Sequence, residues 1–481
     1  MELFGRRTIY TSRELTRENV ISEINEALSV HGLNLAEEDY LYWYRRGRQP
    51  VLEREKLIRP EICNKIVENH AEQITAFKNG YFLTQPLAYI SRSEESAERV
   101  KQLNEYLYLS GKRSADNSVV DWFHTVGKGV LFVKANPDKK TRKRIPAKVY
   151  ALDPRSAFVV YSLGAEKEPM YGVNCVVDRD RLKIDVFSKD YIFHLSGGYT
   201  GENVTPWPIR MGTAFSVDSV EENVLGLIPI IEYRYNSVNM GAFEAVIPLM
   251  DAMNTAMSNR VDGIEQFIQS LLVFYNCELG QDEDGNAITP RQVREAGALF
   301  LQNVGENKAD LKEISSNLNQ TETQVLVDYM YQQILTICGM PSTTKGGAST
   351  SDTGTAVLAR DGWYQADTVA RNTEDLFRES NKYFDEVFLE ILRINADFEI
   401  DPSEFELQFV RNETANAQSK AQAAVTLLTA GMHPELAFAK SGISNDPVSD
   451  VAKSEAYLKL RWGDPNAPQT EEKIEKTDVI V

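Results

Sequence analysis

Catalytic hardware is scarce in this chain. Its 481 residues include five histidines and four cysteines. The histidines, at 31, 70, 124, 194 and 433, are too scattered for a ligand set, and Cys63, Cys175, Cys277 and Cys338 show no Cys-x-x-Cys spacing. That pattern fits reduced, buried thiols rather than a zinc site. A Gly-x-Ser-x-Gly elbow, a His-Glu-x-x-His helix and a Gly-x-Gly-x-x-Gly turn after a strand are all missing. Carboxylates are plentiful but lie on helix faces where solvation accounts for them, so no catalytic residue, metal or cofactor is assigned. Long apolar runs are also absent. A run such as Leu271–Tyr275 falls far short of the ~20 residues of a membrane span. The N-terminal MELFGRRTIYTSRELTR lacks the apolar core of a secretory signal. The expectation is a protein that stays in the cytoplasm where it is made and has no membrane partner. Positive charge is in deficit as well: 52 basic residues against 70 acidic ones leave a net charge of −18. Proteins that grip DNA tightly are usually basic. This balance argues against tight binding and is compatible with a surface that DNA slides past.

What is present is ordinary for folded protein: 42% hydrophobic and 25% charged residues, in a chain long enough for two to four domains. The stretch around which the rest is organised is 226–275. Ile228, Ile230, Ile231, Tyr233 and Tyr235 read as a strand, and 236–241 supplies turn residues. The period then changes to three and four through Phe243, Val246, Ile247, Met250, Met253, Met257, Val261, Ile264, Ile268 and Leu271, the stripe of one long helix. Glu244, Asp251, Asn259, Asp262 and Glu265 fall on its other faces. A narrow Met- and Ala-rich stripe suits packing against other long helices, of this chain or of its copies.

Taken in order, residues 12–46 read as two helices, the second started by a capping-box-like Asn34 and Glu37 and ending in the aromatic cluster 41–44. Pro60 is expected to open another helix, reaching Gly80, with Ile62, Ile66, His70, Ile74 and Phe77 on one face. His70 reads as a core histidine. Helices fill 96–127. Six strand-like runs follow between 129 and 198, as in an antiparallel sheet region. Between the first two lie Lys139, Lys140, Thr141, Arg142, Lys143 and Arg144, read as a solvated hairpin loop because no aromatic residues interleave. Asp282, Asp284 and Gly285 hint at a calcium loop, but the EF-hand register fails at Gly280 and Arg291, leaving a polar turn. A helix from Pro290 and a strand at 298–304 complete that region. Residues 321–338 form a second long helix, with Val325, Tyr329, Gln332 and Ile337 around it. In the loop after it the glycines follow Lys345 rather than precede it, which is not the Walker pattern. A third long helix runs from about 352 to 398. A strand at 405–410 and three shorter helices, at about 414–430, 434–441 and 447–461, finish the folded part.

These residues also carry a resemblance. Pro229-x-x-Glu232, then Val246 to Asn254, then Ser258 and Ile264 to Phe267, look like the core motif of the portal proteins of tailed bacteriophages, most of all the branch of long-tailed phages of Gram-positive hosts. Asn64 to Ala71, then Gly80 to Leu83 and Gln85-Pro86, resemble the same pattern, with Thr84 where a glycine is commoner. The likeness runs from about Tyr44 to Tyr457. It implies an α+β, helix-rich portal fold: a wing at 1–240, stem helices at 241–271 and 320–339, a small α/β clip at 272–319, a tunnel loop at 340–352, a long wing helix at 353–402, a crown at 403–466 and a disordered tail at 467–481. It implies a head–tail connector in the virion, assembled in the host cytoplasm as a ring, usually a dodecamer, and used for genome packaging and ejection. Its partners would be passing double-stranded DNA, the large terminase, head-completion adaptors, and the major capsid and scaffolding proteins. Ser342, Thr343, Thr344, Lys345, Gly346, Gly347, Ser349 and Thr350 would face DNA. Met250, Asp251, Asn254, Met257, Val261 and Ile264 would belong to the stem helix. The competing classes are a non-portal structural adaptor or scaffold, and a nuclease or NTPase of the packaging machine.

Overall fold

The computed structural model describes residues 5–57, 59–178, 181–198, 215–268, 271–275, 277–279, 301–303, 310–314, 320–341, 362–409, 417–444 and 447–462. In chain order the elements are β1 (Ile9–Thr11), α1 (Val20–Arg45), α2 (His70–Phe82), β2 (Ala88–Ser91), α3 (Ala97–Ser110) and α4 (Lys112–Val126). Then come β3 (Lys128–Ala135), β4 (Ala147–Leu152), β5 (Ala157–Ser162), β6 (Pro169–Asp178), β7 (Arg181–Ser188), β8 (Tyr191–Gly198), β9 (Phe215–Glu222) and β10 (Ile230–Arg234). They are followed by α5 (Ile247–Ile268), β11 (Leu271–Tyr275), β12 (Cys277–Leu279), β13 (Leu301–Asn303), β14 (Asp310–Ile314), α6 (Gln320–Ile337), α7 (Trp363–Ala396), β15 (Phe405–Gln408), α8 (Ala417–Thr429), α9 (Pro434–Ser441) and α10 (Pro447–Trp462). The chain forms two compact units: residues 1–45, 71–245 and 338–481 make the first, and residues 46–70 and 246–337 the second.

The first unit is built on two sheets. A six-stranded sheet has the order β1-β5-β6-β7-β8-β9, antiparallel except where β1 runs parallel to β5. Strict alternation on β7 turns Leu182, Ile184 and Val186 inward. Onto that face α1 lays Val20, Ile24, Ala27 and Leu28, packed with Phe158, Val173 and Phe193. A three-stranded sheet, β10-β3-β4, meets α4 and α7 through Val119, Phe123, Leu131, Tyr233, Phe377 and Phe388. Val130, Ala157, Val159, Ile228 and Ile230 join the two sheets. The step from α4 to β3 depends on two glycines. Gly127 closes α4 at φ 93°, and a Cβ there would stand 2.0 Å from the Asn239 carbonyl oxygen. A Cβ on Gly129 would lie 2.4 Å from the Val119 carbonyl oxygen, so the bare backbone lets β3 pass directly under α4.

The antiparallel region expected at 129–235 is therefore two sheets, and β2 and β9 are additions that the period did not signal. The strand expected at 405–410 is present as β15, paired antiparallel with β2. Residues 20–45 are one helix, not two. Asn34 does not cap a helix: it is buried, its Oδ1 accepts the Arg7 N–H at 2.8 Å and its Nδ2 donates to the Arg7 carbonyl at 2.8 Å. Glu37 pairs with Arg6 and Arg7 at 3.0 and 2.8 Å. The two residues of the supposed capping box fasten the N-terminal segment to the middle of α1. The cysteines found in the described residues, Cys63, Cys175 and Cys338, are free thiols. Burial pushes the Cys175 thiol up to about 12.

The second unit is a pair of helices, α5 and α6, continued by short strands. β11 pairs antiparallel with β14, from Leu271 opposite Ile314 to Tyr275 opposite Asp310, and β12 pairs antiparallel with β13. The polar turn at 282–286 and the helix expected from Pro290 lie outside the described residues. α5 is shorter than its apolar period: residues 244–246 form a 3-10 turn and the α-helix spans 22 residues. At ~1.5 Å per residue that is roughly 33 Å.

Candidate functional site: the α5–α6 helical pair and its strap

The α5 helix sorts its faces differently from its hydropathy. Near its start Ile247, Met250 and Met253 are buried. Further along, the buried positions are Asn254, Ser258 and Asp262, at 0%, 0% and 2% exposure, while Ile264 is 45% exposed. Met257 and Val261 are half-buried. The interior stripe thus turns from apolar to polar along the helix, at strict four-residue spacing.

A segment of extended chain covers that polar stripe. The helix expected from Pro60 does not form before His70, because the amide groups of 64–68 have other acceptors. Asn254 Oδ1 accepts the Glu68 N–H at 2.8 Å, Ser258 Oγ accepts the Ile66 N–H at 3.0 Å, and Asp262 Oδ1 accepts the Asn64 N–H at 2.7 Å. The periods match. Two residues of extended chain advance roughly 6.6 Å and four residues of helix roughly 6 Å. Every second amide of the strap therefore meets every fourth side chain of the helix. Gln49 Oε1 accepts from Asn254 Nδ2 at 2.5 Å, and the Asn64 side chain donates to Asp262 and Glu265, both at 2.9 Å. Arg54 and Lys56 reach Asp262 Oδ2 at 3.0 and 2.5 Å. Burial works against ionising Asp262, but the Lys56 ammonium and the Asn64 amide groups outweigh it and hold its pKa at about 2. At the end of the strap His70 lies against Glu68 (Nε2 to Oε2 3.1 Å) and the Tyr331 ring (5.1 Å), so this histidine is half-buried and tied to a carboxylate.

α6 turns Val327, Met330, Ile334 and Leu335 inward. Arg260 Nη1 donates to Gln324 Oε1 at 2.5 Å across the pair. Its outward face is unusual. Val325, Leu326, Tyr329 and Ile337 are 65%, 52%, 61% and 54% exposed, and they recur at helical spacing along one side.

Among the stem residues expected from the sequence, Met250 and Asn254 are buried, Asp251, Met257 and Val261 half-buried, and Ile264 exposed. Asn254 is a strap acceptor. The loop residues Ser342, Thr343, Thr344, Lys345, Gly346, Gly347, Ser349 and Thr350 lie outside the described residues. Asp262, read as a solvated outer position, is an anchor of the site. Polar residues at i, i+4 and i+8 (Asn254, Ser258, Asp262) were the signal for it. No group of residues fit to hold a metal occurs among the described residues, and no helix among them is long and apolar enough to cross a membrane.

Two of the quoted sequence motifs, 64–71 and 246–258, thus meet in one hydrogen-bonded unit. The profile of the family described as phage portal protein, SPP1 Gp6-like, matches residues 35–457, most of the chain. The chain belongs to the phage portal protein family. Portal proteins are structural and not enzymes, and membership implies a ring oligomer in the phage head–tail connector, at the capsid vertex. No curated protein matches the chain. Among solved structures, a chain from "Neck of empty GTA particle computed with C6 symmetry" is similar at 11% identity, with 78% of this portal protein and 89% of that chain covered and a TM-score of 0.39.

Proposed function

We propose that this portal protein forms a ring, a dodecamer on the family pattern, whose central channel passes double-stranded DNA into the head during packaging and out of it at ejection. Residues 1–240 and 353–402 act as the wing, 241–271 and 320–339 as the stem, and 403–466 as the crown. Residues 272–319 act as the clip that receives the large terminase and later the head-completion proteins. The loop 340–352, with Lys345 its only cation, guides DNA and resists its return while the terminase hydrolyses ATP. Scaffolding and major capsid proteins are its partners in the host cytoplasm during assembly.

The observation that carries the ring is the outward face of α6. Four large apolar side chains left half-exposed or more on one helix side are costly in a monomer. With Ile264, their burial against a neighbouring copy is worth about 1 kcal/mol each. Negative-stain microscopy with light scattering tests the reading. Rings with a central hole and a mass near a dodecamer are expected. The Leu326→Glu, Tyr329→Glu double variant should lose them while keeping its thermal midpoint. A compact dimer or tetramer without a hole would refute the ring. Unchanged DNA packaging and retention in both Lys345→Ala and a loop deletion would refute the role of the loop.

A further inference from the structure

The β3–β4 hairpin concentrates positive charge that the rest of the chain leaves unmatched. Lys134 and Lys148 stand directly opposite each other on its strands. Lys139, Lys140, Arg142, Lys143 and Arg144 occupy the turn between them. Among the described residues none of these seven cations forms an ion pair, in a protein with 70 acidic residues. A Lys–Lys cross-strand pair is unfavourable in itself. The one carboxylate in the turn is occupied: Asp138 accepts the Lys140 N–H at 3.0 Å and the Thr141 hydroxyl at 2.9 Å.

The turn is built, not slack. The Arg142 N–H and Ile145 N–H close helical turns onto Asp138 and Thr141 carbonyls, each at 2.9 Å. Asn136, itself buried, donates to the Ile145 carbonyl at 2.8 Å and to Thr141 Oγ1 at 3.1 Å. From α7, the buried Asn395 donates to the Pro146 carbonyl at 2.8 Å and clamps the neck of the hairpin. The backbone that carries the cations is held before any partner arrives, which lowers the entropic cost of binding. Beside Lys148 on the solvent face stands Tyr150, 44% exposed, with a hydroxyl that can donate to an anion.

We propose that this hairpin is a docking site for the phosphate backbone of duplex DNA, distinct from the loop 340–352. Charge density selects the partner. At ~3.3 Å per residue and ~4.8 Å between strands, the seven cations fall within roughly 20 Å. Duplex DNA offers one charge per ~1.7 Å over that length. An extended peptide with Asp or Glu at every residue reaches only about half that density. The two arginines add planar, bidentate donors suited to phosphate. The contact would be sequence-independent and salt-sensitive, and it does not require the ring.

The test is fluorescence anisotropy of the full chain with a labelled 24-base-pair duplex across a salt series. A variant carries Lys139→Gln, Lys140→Gln, Arg142→Gln, Lys143→Gln and Arg144→Gln. The expected result is at least a tenfold loss of affinity at 0.1 M salt, with a log–log salt slope lower by about 4. The same positions with Lys and Arg exchanged should retain binding. Lys134→Gln with Lys148→Gln, outside the turn, should weaken binding severalfold and serves as the independent variant if the first fails to fold. Equal affinity and slope in the Gln variants, or no duplex binding by the wild-type chain at 0.05 M salt, would overturn the proposal. So would tighter binding of a polyglutamate chain than of the duplex, which would assign the hairpin to an acidic protein. Light scattering on the same samples separates this inference from the ring. A Gln variant that still assembles but no longer holds the duplex places the contact on the hairpin, and hairpin-dependent binding by a chain that forms no ring would sink the ring alone.

Discussion

Replacing Asp262 tests the strap where its interactions are densest. Asp262→Ala removes the acceptor of the Asn64 N–H, one Asn64 side-chain contact and both cation contacts. The ionic share follows from its pKa: about 2 in the folded chain against 3.8. A depression of this size corresponds to about 2.5 kcal/mol at neutral pH, and solvent screening around the pair reduces it to about 1. Leaving the Asn64 amide without a partner costs about 1 kcal/mol or more. The sum, about 2–3 kcal/mol, is the expected loss in the free energy of opening the strap. Hydrogen exchange measured on peptides covering 60–70 reads it directly, because opening exposes the amides of 64, 66 and 68. Protection should fall by a factor of roughly 30–150 in Asp262→Ala. In Asp262→Asn, which keeps an acceptor and loses the charge, the drop should be roughly a third of that on the free-energy scale. The stability from this carboxylate is present above pH 3.8 and is lost as pH falls through about 2. Unchanged protection across 60–70 in Asp262→Ala would show that the amide ladder does not hold the strap.

Three other buried groups give separate tests. Lys128 and Glu38 form a buried ion pair at 3.1 Å, and burial, offset by Lys128, raises the Glu38 pKa. Lys128→Met should cost about 3–5 kcal/mol in urea unfolding, with more than half recovered by adding Glu38→Gln. If the double variant is no better than the single, the loss is one of packing. Asp385 is pushed up to about 7, chiefly by burial, while it accepts from the Tyr89 hydroxyl and from Asn381 Nδ2 at 3.1 Å. A raised carboxylate stabilises the fold below pH 3.8, and that stability is lost as pH rises through 7. Asp385→Asn should therefore remove a slope of up to about 1.4 kcal/mol per pH unit between pH 4 and 7, and parallel pH–stability curves would contradict this. Burial lowers the pKa of Lys78, which lies 5.8 Å above the Tyr235 ring. Its stability is present above pH 10.5 and lost as pH falls through the lowered value, so Lys78→Met should raise the thermal midpoint at pH 7 by a few degrees. A lower midpoint would mean that the ammonium is compensated.

Much of the fold is legible in local pattern. The stripe from Phe377 through Phe384, Val387, Phe388 and Ile391 to Leu392 announces α7, and alternation announces β7. What misled was side-chain chemistry with more than one use. Asn34 and Glu37 have the spacing of a capping box, yet serve as acceptors for a segment 27–31 positions away, a tertiary choice that no local window contains. The apolar period from Ile62 to Phe77 describes a good helix. It lost over its first half because three side chains of α5 offered the strap amides partners as good as its own carbonyls. The candidate site was legible in its position and not in its chemistry. Resemblance pointed to 64–71 and to 246–258, but hydropathy put Asp262 outside and Ile264 inside.

The polar stripe also accounts for why the strap is held by hydrogen bonds and not by apolar contact. An apolar groove would accept an extended chain in several registers, since sliding by two residues preserves which side chains face inward. Three acceptors at four-residue spacing add a parity to this, because only every second amide of the strap can meet them. A two-residue slip still brings alternate amides to the acceptors, but it parts the Asn64 side chain from Asp262 and Glu265. A one-residue slip leaves all three without an amide, at about 1–3 kcal/mol for each. Register is thus fixed by a penalty on the alternatives larger than the net worth of the bonds themselves. The exposed apolar face of α6 has no such device. Its side chains fit any apolar surface of complementary shape, so in the proposed ring the neighbouring copy would have to be selected by the geometry of the strapped pair that presents this face.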